Sequence, residues 1–199
     1  MLAGYVDAIG FISLGGYFVS FMSGNSTRLA VGVVRGSPSP MIAAILITTF
    51  VLGVILGSIT VRMARGRGAV AVLSLVCVLL VIAALCGLNG VPTGAVIAMT
   101  LAMGAENTIF ERDGEVHIGL TYMTGTLVKL GQRITGAMFG GDRFAWISYL
   151  LLWMGLVAGA CIAASLYPHF GWATLWFAAA AAAAMALIAS AIIPAAHAA

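Results

Sequence analysis

Charge is what this chain lacks. Only 8% of its 199 residues are Asp, Glu, Lys or Arg, against 62% that are hydrophobic. A soluble domain carries roughly 25% charged residues. So little charge cannot coat a globule in water, which leaves lipid as the solvent. Asp, Glu, Lys and Arg are absent from Ser37 to Val61, from Gly68 to Ala105, and from Phe144 onward. A spanning helix needs about 20 apolar residues, so each run holds one or two spans. Lipid forces every backbone amide to find a partner within the protein. Helices do this, and the runs lack the two-residue alternation of a barrel strand. The expected class is all-α: a polytopic transmembrane helical bundle, one membrane domain over 1–199 with the lipid bilayer as its first partner.

Other absences exclude chemistry. Cys77, Cys86 and Cys161 each sit alone in apolar sequence, without metal or redox spacing. His117, His169 and His197 fall in loops or the tail with no partner spacing. There is no Ser-His-Asp arrangement, no HExxH, no P-loop and no CxxC, so no enzyme, cofactor or metal is expected. The formal net charge of +3 is scattered, with several basic residues inside helices, and reads as topogenic charge; nucleic acid is not an expected partner. Met1 is followed by no basic region and no cleavage site, so no cleavable signal is expected.

Eight segments follow from the apolar runs and their punctuation: Met1 to about Leu14, Tyr17 to Arg35, Met41 to Val61, Gly68 to Leu88, Thr93 to Phe110, Ile118 to Phe139, Phe144 to Leu166, and Trp172 to Ile193. The turns between them include Gly36-Ser37-Pro38-Ser39-Pro40, Asn89-Gly90-Val91-Pro92 and the stretch from Pro168 to Gly171. Gly53 and Gly57 lie four apart, a spacing that lets a neighbouring helix approach closely.

Two stretches interrupt the apolar background. Phe18 to Arg28 reads FVSFMSGNSTR, and roughly a hundred residues later Leu120 to Lys129 reads LTYMTGTLVK. Met22-Ser23-Gly24 aligns with Met123-Thr124-Gly125, Phe21 with Tyr122, and Arg28 with Lys129. At nearly the same offset Ala3, Asp7 and Phe11 align with Ala102, Glu106 and Phe110, and Gly53 and Gly57 with Gly155 and Gly159. The chain thus reads as two tandem repeats of about four segments, about 1–88 and about 93–194. The first helix is expected to be truncated relative to its counterpart, with six residues ahead of Asp7 where Glu106 has half a helix back to Thr93. Four full spans per repeat, the favoured count, would make the repeats parallel. Three crossings each, with a re-entrant piece, would make them inverted.

AGYVDAIGF (Ala3 to Phe11), GGYFVSFMSGNSTRLAVG (Gly15 to Gly32) and YMTGTLVKLGQ (Tyr122 to Gln132) together resemble the YoaK-like family of bacterial multi-span membrane proteins, a domain of unknown function. The resemblance covers nearly the whole chain. It implies a bacterial inner-membrane location and supplies no activity.

The chemistry therefore rests on the residues. Asp7 and Glu106 are carboxylates within spans, where each costs roughly 3 kcal/mol on insertion scales. Arg28, Lys129 and Arg133 are the cations on offer as partners, for a structural ion pair or a proton or substrate site. Gly24 and Gly125 permit unusual backbone, and Ser23, Asn25, Ser26, Thr124 and Thr126 suit the N-cap of a helix restarting after a break. Such a start presents free N–H groups to an anion. Asn25 shares a helix face with Arg28, as Lys129 does with Gln132 and Arg133. Two readings follow. In the first, a small transporter or permease holds a polar or anionic solute with Ser23, Gly24, Asn25, Arg28, Thr124, Gly125, Thr126, Lys129 and Gln132. In the second, a non-transporting scaffold, assembly or lipid-binding protein uses the breaks only to pin helices. A homo-oligomer is compatible with either.

Overall fold

The computed structural model describes residues 1–36, 39–64, 66–109, 111–112, 115–116 and 123–192. It is an all-helical bundle. The α-helices are α1 (Leu2–Ser13), α2 (Met22–Arg35), α3 (Ser39–Met63), α4 (Gly68–Leu88), α5 (Pro92–Glu106), α6 (Met123–Met138), α7 (Ile147–Phe170) and α8 (Leu175–Ile192). A two-residue antiparallel pairing, β1 (Glu111–Arg112) with β2 (Glu115–Val116), lies between α5 and α6. The expectations for Phe110, His117, Leu120, Tyr122 and His197 lie outside the described residues.

Among the described residues, three helical runs are long and apolar enough to cross a membrane: Pro40–Met63, Gly68–Leu88 and Ile147–Ile192. At most 39% of any of these spans is buried, so most of their apolar surface faces outward, as lipid requires. Gly171, at φ +52°, divides the third run into α7 and α8. The expected turn at Pro168 comes later, because helix α7 continues through that proline to Phe170. Proline in the last turn forfeits a single backbone bond and is tolerated there. The α4 span matches its expected bounds to the residue. Helix α2 ends at Gly36, φ +62°, with Arg35 in its last turn, where a cation suits the dipole.

The core is formed by α1, α4, α5 and α8, with Val6, Ile9, Val76, Leu80, Met99, Met103 and Leu175 fully buried. Small residues set the helix spacing. A Cβ added at Gly53 would meet the backbone of Leu101, and one at Gly57 the backbone of Ala105, so α3 and α5 run parallel in close contact. Likewise Gly155 faces Met1 and Gly159 faces Met1 and Tyr5, so α7 and α1 run parallel. By contrast α1 and α5 run oppositely. Leu2 and Tyr5 share a cavity with Glu106 and Ile109, whereas Ser13 and Leu14 share another with Pro92, Thr93 and Val96. Helix α6 stands apart: none of its residues is buried, and it rests on α7.

Candidate functional site

The first polar break begins earlier than the sequence suggests. The irregular backbone is the segment 14–21, with Gly15 at φ +63° and Gly16 at φ +105°, and α2 starts at Met22. Ser23, Gly24 and Asn25 therefore lie in the first turn of a regular helix. The N-cap position is Phe21 and receives no side-chain hydrogen bond, which corrects the expected capping by Ser23, Asn25 or Ser26. Ser26 instead donates to the Met22 carbonyl at 2.8 Å and Thr27 to the Ser23 carbonyl at 3.2 Å, back along their own helix. Gly24 has helical backbone, and its missing Cβ leaves room for the rings of Phe21 and Phe18.

Asp7 and Asn25 hold the irregular segment. The Asp7 carboxylate accepts hydrogen bonds from the backbone N–H of Val19 at 2.9 Å and of Ser20 at 2.8 Å. Asn25, fully buried, donates to the Phe18 carbonyl at 2.6 Å and accepts from the Phe18 N–H at 3.1 Å. Amides freed by the break thus meet polar side chains. Charge-assisted bonds of this kind stabilise by roughly 1.5–3 kcal/mol each. The cation offered to Asp7 by the sequence goes elsewhere: Arg28 lies over the Tyr17 ring, its guanidinium carbon 4.9 Å from the centroid. Phe11, Phe18 and Phe21 stack along the same segment, with ring centroids 5.1 and 5.2 Å apart.

The second break is built differently. Glu106 ends α5, is 5% exposed, and its Oε2 has no hydrogen-bond partner among the described residues. Lys129, Gln132 and Arg133 lie exposed on α6. The structure brings neither Lys129 nor Arg133 to Glu106 among the contacts it describes. Thr124 and Gly125 are exposed, and Thr126 is half-buried.

The starts of α2 and α6 nonetheless face one pocket. It has a volume of about 360 Å³ and is lined by Ser20, Phe21, Met22, Ser23, Phe50, Met123, Thr124 and Gly125. Of the expected site residues, Ser23, Thr124 and Gly125 are brought together there. Asn25 is spent on Phe18, and Arg28, Lys129 and Gln132 do not line it. Sequence reasoning missed Ser20, Phe21 and Phe50. The Gly15-Gly16 pair, a turn signal, marked the true position of the break and would have drawn Ser20 and Phe21 into the site. Phe50 gave no local signal. It lies near the middle of α3, whose 25 residues rise about 37 Å, so the pocket opens close to mid-helix.

No solved structure matches the chain. A transmembrane protein of Rhizobium meliloti, UPF0700 transmembrane protein RA0705, is 37% identical over 175 residues, which are 88% of this chain and 76% of that protein. UPF0700 transmembrane protein YoaK of Bacillus subtilis is 30% identical over 147 residues, 70% of this chain and 65% of that protein. Both printed names state a transmembrane protein and no activity. The family described as "Protein of unknown function (DUF1275)" matches residues 1–188, and with the apolar outward-facing helices this makes the chain a membrane protein that belongs to that family.

Proposed function

We propose that the chain is a small transporter or permease of the bacterial inner membrane, carrying a small polar or anionic solute through the pocket between the α2 and α6 starts. One observation carries this reading: two helix N-termini from the two halves of the sequence line a single pocket beside the middle of α3. Helix starts point free N–H groups and the positive end of the dipole at a ligand. Ser20, Ser23 and Thr124 add hydroxyls. Broken segments meeting near mid-membrane are how many carriers build their sites. Arg28, Lys129 and Gln132 do not touch the pocket, and their part is a positive and polar approach to it. The function is transport rather than catalysis, and it needs no cofactor.

The helix pairing supports an internal repeat over about 1–88 and about 93–194. Helix α1 packs on α7 as α5 packs on α3, α2 on α3 as α6 on α7, and α8 on α1 as α4 on α5. The opposed directions of α1 and α5 favour inverted repeats over the parallel arrangement preferred from sequence. In that arrangement α1 and α2 together make one broken crossing.

The scaffold reading draws on a different observation. Asp7 and Asn25 close the first break with backbone hydrogen bonds, which is what a purely structural break needs. Thermal unfolding of the purified protein across a panel of small carboxylates, phosphate and neutral polar solutes separates the two. The transporter reading expects one class to raise the melting temperature, and expects Ser23→Trp and Thr124→Trp, which fill the pocket, to abolish the rise. No stabilising solute, or stabilisation that survives both substitutions, overturns it in favour of the scaffold.

A further inference from the structure

A second cavity lies away from the α2 and α6 starts and shares none of their residues. Its volume is about 480 Å³, within the range of small-molecule sites. Helices α1, α4, α5, α7 and α8 line it, and its wall includes Leu2, Tyr5, Leu73, Ile162, Phe177 and Met185. One charged side chain lines it, that of Glu106, 95% buried by its 5% exposure, with Oε2 unpartnered among the described residues. A buried carboxylate oxygen without a partner is costly and calls for a donor or a cation. Calcium or magnesium would need at least six oxygen ligands or retained waters, and one carboxylate among apolar side chains is a poor donor set for either. A cation that brings its own apolar body fits this wall. The ring of Tyr5 is fixed by its hydroxyl, which donates to the Thr174 carbonyl at 3.0 Å, and the ring of Phe177 stands on the same cavity. Aromatic faces attract organic ammonium groups.

We propose that this cavity binds a lipophilic organic cation, an ammonium group against the Glu106 carboxylate with its apolar substituent against Tyr5, Ile162, Phe177 and Met185. The site is independent of the pocket at the α2 and α6 starts and does not rest on the transport reading.

The test is equilibrium binding to the purified full chain of benzyltrimethylammonium and of neopentylbenzene, its neutral isostere. The expected result is saturable binding of the cation only. Glu106→Gln weakens it by about tenfold or more, and Ala181→Phe, which fills the cavity and leaves the carboxylate in place, does the same. Ala181 lines the cavity and is otherwise exposed, so this variant remains informative if Glu106→Gln folds poorly. Equal binding of the neutral isostere overturns the proposal. So does no binding, or undiminished binding in either variant.

Discussion

Asp7 and Glu106 occupy matching places in the sequence and opposite situations in the fold. Asp7 receives two backbone N–H groups from the segment that follows its own helix. Glu106 is more deeply buried, and its Oε2 has no hydrogen-bond partner among the described residues. The described residues around the two carboxylates differ as well. In the first, Gly15 and Gly16 turn the chain back so that Val19 and Ser20 reach Asp7, and Asn25 clamps the turn from α2. In the second, α6 lies out on α7 with no buried residue, and Thr126 stands at the place that Asn25 holds in the first. The first half is closed by its own hydrogen bonds, and in the second Glu106 Oε2 has no hydrogen-bond partner among the described residues. In the first case the carboxylate organises the backbone that follows it.

Substitutions can break or sharpen this contrast. The largest effects belong to the glycine contacts that both halves share. Gly53→Ala and Gly159→Ala push a methyl group into the backbone of a parallel neighbour, with Leu101 Cα 2.9 Å and Tyr5 N 3.1 Å from the added Cβ. Each should cost about 1–3 kcal/mol or more in unfolding free energy, as overpacked cores do. Gly125→Ala meets nothing within 4 Å and should be neutral or mildly stabilising. Equal losses at all three would mean that the helix spacing is not set by these contacts.

Next in size is the pair of carboxylates. Asp7→Ala leaves two amides unpaired and should destabilise by about 2–3 kcal/mol. Glu106→Gln removes a charge that has no hydrogen-bond partner at Oε2 among the described residues, and should cost less than about 1 kcal/mol or stabilise. Denaturant unfolding of both variants in one detergent measures the difference, and reversed magnitudes would dissolve the contrast. Asn25→Ala should fall between, at about 1–2 kcal/mol, because the Phe18 amide and carbonyl both lose their partner. Smallest are Lys129→Ala and Gln132→Ala, exposed on α6, each expected within about 0.5 kcal/mol of the parent.

The sequence carried the lipid-facing spans because they follow from composition alone. A charge-free run must be helical and long, so α3, α4 and the α7–α8 run emerge at nearly their observed bounds. The site was legible only in part, because its parts are joined over distance. Val19 and Ser20 meet Asp7 across twelve and thirteen residues, and Ser23 meets Thr124 across half the chain. Local reading sees Ser, Asn and Thr near a helix start and assigns them to capping. In the fold Ser26 and Thr27 bond backward along the helix and Asn25 reaches Phe18, a choice set by the loop that happens to lie there. The cations misled for a related reason. Proximity in sequence offers Arg28 to Asp7, but backbone donors already fill the carboxylate, and Tyr17 supplies a ring for the guanidinium.

The most direct test of a solute site between the two helix starts is thiol protection in native membranes. Ser23→Cys and Thr124→Cys each place a thiol on the shared pocket, and Ser190→Cys places one far along α8 as a control. The solute that stabilises the protein should slow alkylation of Cys at both 23 and 124 and leave the control unchanged. Protection at neither position, or at all three alike, would contradict a solute site formed by the α2 and α6 starts.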